Sequence, residues 1–268
     1  MSRSVEGYGQ FCPVSKAAEL ICQRWTLLIL RELLVGSTRF NEIRRGVPTC
    51  SPTLLSKRLK ELDRAGIIER VVDNHEITYS LTEAGQELLP IVLGLGEWGQ
   101  RWVRTDYSLN DLDPGLLLWD VRRHLQPGGL GDRRVTIQFV FAALSANHRY
   151  FWLVVDAHEV DLCLTDPGRE VDVIVEADLR TLTEIWMGDT RFRDALADGR
   201  IVLRGQSIVT RRIPAWFGQH PHFAKVRPGS GVDEWQHHET SSSKSEAKPL
   251  KTKTIAVGLI VAQQSRTS

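Results

Sequence analysis

Fifteen residues, Ser51 to Ala65 (SPTLLSKRLKELDRA), specify two different surfaces on one short helix. At about 100° per residue, Leu55, Leu59 and Leu62 fall on one side, while Thr53, Ser56, Lys57, Lys60 and Arg64 gather on the other. Ser51 can accept a hydrogen bond from a free first-turn amide as N-cap. Pro52 suits the first helical position, where its missing N–H would be unpaired anyway. Gly66 supplies the left-handed residue that closes the helix. Alone, the stretch reads equally as an ordinary surface helix with a solvated basic face, so its neighbours decide what it is.

Upstream, Lys16 to Leu34 has helical periodicity, with Ala18, Ile21, Trp25, Leu28 and Ile29 along one broad apolar face, and Gly36 stops it. Ser37 to Gly46 predicts a second, shorter helix that turns Phe40 and Ile43 inward and leaves Arg39, Arg44 and Arg45 for solvent or phosphate. Pro48 ends it. A short helix, a tight turn and a second helix with a polar outer face form a helix-turn-helix whose second member enters the major groove. Downstream, Ile67 to Val72 and Ile77 to Leu81 are extended runs around Asp73-Asn74-His75-Glu76, which has turn composition. That is a hairpin, with Asn74 and His75 at a tip that would lie near the sugar-phosphate backbone or minor groove. The ordered series is a winged helix. Its charge agrees: residues 36 to 64 hold seven Lys/Arg against three Asp/Glu, in a chain whose net charge is only +1.

Thr82 to Arg104 is again helical and carries more apolar residues (Leu88, Leu89, Ile91, Val92, Leu95, Trp98, Trp102) than one domain face requires, which predicts a partner helix. Pro90 should kink this helix or split it in two. The formal G-x-G-x-x-G at Gly94 to Gly99 lacks a preceding strand and a βαβ unit, so it is no dinucleotide site.

The second half has a different texture. After a connector over residues 106–134 with a short helix from Gly115 to Leu125 and a break at Pro127-Gly128-Gly129, four extended runs follow: Val135 to Leu144, Tyr150 to Asp156, Asp161 to Thr165 and Asp172 to Glu176. Their partial alternation predicts a half-covered antiparallel sheet. Leu179 to Met187 and Arg191 to Ala197 read as helices, Gly199 to Gly205 as a last strand, and Phe217 sits in a closing helix. The fold class is α+β. The predicted organisation is a DNA-binding domain over 1–105, the connector, a second domain over 135–227 and a tail over 228–268 too polar to bury a core, except for the apolar Ile255 to Ala262.

The first half, from CPVSKAAELICQRWTLLILRELL through SPTLLSKRLKELDRAGIIER to YSLTEAGQELLPIVLGLGEWG, resembles the HxlR-type winged-helix transcription regulators over residues 12 to about 104. The resemblance implies a homodimer, assembled through terminal helices, on near-palindromic double-stranded DNA. It also makes Cys12 a redox candidate, although only Lys16 nearby would lower its pKa. The second half, through FWLVVD, DVIVEADLRTLTEIWMGD and ALADGRIVLRG, resembles sterol-carrier-protein domains over about residues 130 to 218. That implies a curved antiparallel sheet with helices around a cavity for a lipid-like small molecule. Trp152, Trp186, Met187 and Phe192 read either as plain core or as lining of such a cavity.

Cys12, Cys22, Cys50 and Cys163 form no C-x-x-C pair, which argues against a zinc site and a disulfide framework and fits a reduced cytoplasm. His220-x-His222 and His237-His238 are too isolated for a metal. No apolar run approaches the roughly 20 residues that span a bilayer. No catalytic constellation appears, and no cofactor is expected. The expected function is a ligand-responsive DNA-binding regulator: Arg39, Arg44, Arg45, Lys60 and Arg64 on phosphates, and Ser51, Pro52, Thr53, Ser56 and Lys57 in the first turns facing base edges. The alternative is a lipid-binding or transfer protein that keeps the winged helix as an interaction module.

Overall fold

In the computed structural model, residues 7–74, 76–103, 107–108, 111–125, 133–156 and 159–226 are described. His75, the break at Pro127 to Gly129 and the tail with Ile255 to Ala262 and His237-His238 lie outside them. All described residues belong to one compact unit, Met1–Val232.

The chain opens with α1 (Pro13–Ile21) and α2 (Thr26–Leu34). The single helix expected over Lys16 to Leu34 is therefore two. Trp25 adopts φ 77°, a left-handed conformation that ends the hydrogen-bond ladder between them. Periodicity could not reveal the break, because Trp25 still packs against the same core as the helices on either side. Leu28, expected inside, is 41% exposed.

Next come α3 (Phe40–Gly46), α4 (Pro52–Arg64), the antiparallel pair β1 (Ile68–Asp73) and β2 (Glu76–Leu81), then α5 (Glu83–Gln86) and α6 (Leu89–Trp102). Pro90 lies in the first turn of α6, so it splits the predicted helix, its fixed φ serving as a start. Ile29, Leu30 and Leu33 of α2, Ile43 of α3, Leu55, Leu59 and Leu62 of α4, Ile68 and Tyr79 form one buried core. Each such buried side chain contributes about 1.5–3 kcal/mol relative to exposure.

The second half begins with α7 (Pro114–His124), capped by Asp113, whose Oδ1 accepts from Leu116 N at 2.7 Å. Strands β3 (Val135–Val140), β4 (Tyr150–Val155), β5 (Val160–Cys163), β6 (Val173–Ala177) and β7 (Ile201–Gly205) form one sheet in the order β5-β4-β3-β6-β7. Here the expectation of an antiparallel sheet is corrected. β3 and β6 at its centre run parallel, in register from Ile137 opposite Val173 to Val140 opposite Glu176, and the sheet is mixed. The cause is the chain path. After the meander β3-β4-β5, the segment from Leu164 to Asp172 returns from one edge to the far side of β3 and enters β6 in the same direction.

α8 (Leu179–Met187), α9 (Phe192–Ala197), α10 (Ser207–Thr210) and α11 (Ile213–Phe217) complete this half. Its core joins Ile137, Phe139, Phe151, Leu153, Val173 and Val175 from one sheet face to Leu182, Ile185, Trp186, Trp216 and Phe217 from the helices. α7, placed by sequence in a connector, supplies Leu117, Leu118, Trp119 and Val121 to that core. Among the described residues, no helix is long and apolar enough to cross a membrane.

Candidate nucleic-acid interface

Ser51 Oγ accepts from Leu54 N at 3.3 Å, so α4 carries the N-cap its sequence specifies, and Gly66 follows it at φ 71°. Leu55, Leu59 and Leu62 are at most 1% exposed and seat the helix. Pro52, Thr53, Lys57, Lys60 and Arg64 are exposed on the outer side with Ser51, and Ser56 is half-buried. Arg58, adjacent to this face, turns back instead. Its Nε donates to Arg24 O at 3.1 Å and its Nη1 meets Glu61 Oε2 at 2.5 Å, tying α4 to the turn before α2.

The hairpin is fastened to the helix-turn-helix. Tyr79 N donates to Thr38 O at 2.8 Å, and Arg39 bridges to Thr78 as a short third strand. Arg39 Nε lies 2.8 Å from Glu76 Oε1, so this cation braces the wing in the free protein. Asn74 occupies the tip at φ 42°, a left-handed position that asparagine tolerates.

α3 starts with a one-sided cap: the Glu42 carboxylate accepts from Thr38 N at 2.8 Å and Arg39 N at 3.1 Å. Burial works to raise the Glu42 carboxyl, but these amide bonds with the Arg39 charge outweigh it and hold it below the usual carboxylate value.

The predicted cations differ in what they do in the free protein. Among the described residues, no carboxylate pairs with Arg44, Lys60 or Arg64, and all three are exposed. Lys57 Nζ lies 3.9 Å from Glu61 Oε1, one turn along the same helix. Arg45 points away from this group, its guanidinium 5.1 Å from the centre of the Trp119 ring. Arg44 is in the last turn of α3, Arg39 is held against the wing by Glu76, and Arg45 lies over Trp119. α4 carries spaced exposed cations along its outer side and short hydroxyl side chains at its leading end.

The four cysteines are unpaired thiols. Cys12 is half-buried at the start of α1, and Lys16, the cation nearest it in sequence, bonds Glu19 at 3.2 Å. Burial pushes the Cys50 and Cys163 thiols up, the second with help from Asp161. Of the four candidate cavity residues, Trp186 and Phe192 are buried in the second core and Met187 packs against it. Trp152 lies on the other face of the sheet, in register with Gln138 and Cys163. The described residues do form an open cleft of about 350 Å³, lined by Ile185, Phe192, Pro214 and Ala215 with Arg191, Arg193 and Gln219. Of the four, only Phe192 reaches it.

Sequence reasoning missed the residues that join the two halves: Glu32, Trp119 and Arg123. Trp119 Nε1 donates to Glu32 Oε2 at 3.2 Å, and Arg123 pairs with the same oxygen.

The pattern of the HxlR-like helix-turn-helix family matches residues 20–107. The chain is 40% identical over 102 residues to an uncharacterized HTH-type transcriptional regulator, YvaP of Bacillus subtilis, covering 37% of this chain and 94% of that protein. It is 33% identical over 101 residues to the HTH-type transcriptional regulator sll1512 of Synechocystis, covering 37% of this chain and 75% of the relative. Among solved structures it is similar to the redox regulator HypR in its reduced form, with 37% identity, 33% of this chain and 91% of that chain covered, and a TM-score of 0.32. With most of YvaP's length aligned on the segment that folds here as a winged helix, the chain belongs to the HxlR-like helix-turn-helix family of DNA-binding transcriptional regulators.

Proposed function

We propose that this chain is a homodimeric regulator that reads near-palindromic operator DNA with α4 and senses a hydrophobic small molecule through a sterol-carrier-like second half. The observation that carries the reading is the two-sided α4: three leucines fix it in the core while Thr53, Lys57, Lys60 and Arg64 stand exposed on its outer side. Ser51, Thr53, Ser56 and Lys57 in its first turns face base edges, with Thr53 suited to a thymine methyl and Lys57 to guanine O6 and N7. Arg44, Lys60 and Arg64 neutralise phosphates, and the wing tip with Asn74 follows the adjoining backbone.

Dimerisation is supported by α6. Ile91, Leu95, Trp98 and Trp102 recur at helical spacing and are 54, 48, 56 and 42% exposed, an apolar stripe that a second copy would cover. With half-sites about one helical turn apart, a two-fold dimer requires a two-fold site. The ligand reading is supported by a sheet covered by helices on its core face and by the cleft at Ile185 and Phe192, whose floor is apolar and whose rim holds Arg191 and Arg193.

Selection of genomic DNA fragments on the full-length protein, repeated with and without a lipid extract, tests both parts. Lys57→Ala should weaken operator binding more than binding to random DNA. Equal losses on both would remove its base-reading role, and recovery of no sequence would remove the operator reading.

A further inference from the structure

Glu32 of α2 is 1% exposed, and its polar surroundings come from both halves of the chain. From its own half, Arg31 donates to Oε1 through Nη2 at 2.9 Å and Nε at 3.2 Å, and Ser37 Oγ lies 3.4 Å from Oε2. From α7, Trp119 Nε1 and Arg123 Nη2 converge on Oε2. The same contacts reach both ends of the α2–α3 corner. Arg123 Nη2 donates to Ser37 Oγ at 2.8 Å before α3, and Arg31 Nη2 donates to Gly46 O at 2.8 Å at its end. A Cβ on Gly46 would stand 1.8 Å from Glu32 Cδ, so glycine is what admits the carboxylate there. Beyond it, the Trp119 ring is flanked by the guanidinium groups of Arg122 at 4.0 Å and Arg45 of α3 at 5.1 Å, and Arg122 continues to Val160 O on β5 at 3.0 Å.

A carboxylate taken out of water needs charged and hydrogen-bonding partners around it, and losing one is far more costly than losing a surface ion pair. Among the described residues, one of its two arginines and its indole donor belong to the second half. The corner they hold sets where α3 runs and where the chain enters α4.

We propose that Glu32, Trp119 and Arg123 are positioning residues for DNA reading: α7 completes the helix-turn-helix and fixes the presentation of α4, without touching DNA. Their side chains are 1, 1 and 10% exposed, which keeps them from contacting a phosphate. This rests on the DNA-binding reading above and adds the route by which the second half acts on it.

The test uses full-length protein, an operator fragment recovered by selection, and the variants Arg123→Met, Arg123→Lys and Trp119→Phe, each checked for folding by circular dichroism. Arg123→Met is expected to weaken operator binding about tenfold. Random DNA should lose distinctly less, and the slope of log affinity against log salt should stay that of the wild type, because no phosphate contact is lost. Amide exchange over Ser37 to Gly46 should accelerate. Arg123→Lys should restore most of the affinity. Trp119→Phe, which keeps an aromatic ring but removes the N–H with the pyrrole part of the indole, should give a smaller loss in the same direction and carries the test if Arg123→Met does not fold. Operator affinity within about twofold of wild type in the folded variants would overturn the proposal, as would equal loss on random DNA or a reduced salt slope. If the wild type itself selects no DNA, the DNA-binding reading fails instead.

Discussion

Phe223 packs its ring onto Gly96 of α6 so closely that a Cβ at residue 96 would stand 2.4 Å from Phe223 Cζ. The ring has little room to tip away, because it is stacked on His220 at 4.4 Å between ring centres. A glycine that looked like part of a phosphate motif is thus a docking point between the two halves.

Gly96→Ala should therefore destabilise the protein. Overpacking costs about 1–3 kcal/mol, and the roughly 1 kcal/mol that alanine contributes to helix propensity offsets only part of it. Thermal denaturation of Gly96→Ala, alone and in a Phe223→Ala background, checks this: the substitution should become neutral or stabilising once the ring is gone.

Trp98→Glu places a charge in the middle of the apolar stripe on α6. In sedimentation velocity it should shift the species from two chains to one. Helical content should be unchanged, since Trp98 is 56% exposed and contributes little to the fold of one chain. An unchanged sedimentation coefficient would remove α6 from the interface.

Among the described residues no carboxylate pairs with Arg44 or Lys60, and each should release counterions on DNA. Replacing either by alanine should lower the salt slope by about 0.9 per phosphate contact in each half-site and weaken operator and random DNA alike. Arg39, already paired with Glu76, should have a smaller effect on the slope.

His220 gives the protein an acid limit. Burial pushes its imidazole from the ordinary 6.5 down to about 4, with His124, His222 and Arg31 adding to the shift and Asp120 opposing it. Its Nδ1 accepts from His222 N at 3.3 Å and Phe223 N at 3.1 Å, bonds that require an unprotonated nitrogen. Because the folded value is depressed, the unfolded chain takes up the proton first. The contribution to stability is complete above about 6.5 and is lost as pH falls towards 4. Urea midpoints measured across that window should fall, and more shallowly in His220→Gln.

The winged helix was legible because its signals are local. Ser51, Pro52 and Gly66 mark the ends of α4 by their own backbone chemistry, and Pro90 marks the start of α6. The break at Trp25 was not, since a left-handed tryptophan leaves no trace in apolar spacing when it packs into the same core. The parallel pairing of β3 with β6 was also hidden: alternation says which face a strand buries, not which neighbour it chooses. The joint was the least legible of all. Glu32 reads as a solvated helix charge until Arg123, 91 residues further on, is placed against it. Arg45 reads in sequence as a cation of α3 for solvent or phosphate, and nothing near it in sequence points to Trp119.

The pairing of Glu32 with Arg123 also bears on the order in which this protein is made. When residue 107 leaves the ribosome, the segment matching the helix-turn-helix family is fully synthesised, but α7 has not yet followed. Until it does, Glu32 has Arg31 and Ser37 but lacks Arg123 and the Trp119 N–H. The nascent winged helix therefore waits, with an incompletely matched charge inside it, for a helix that belongs to the next core.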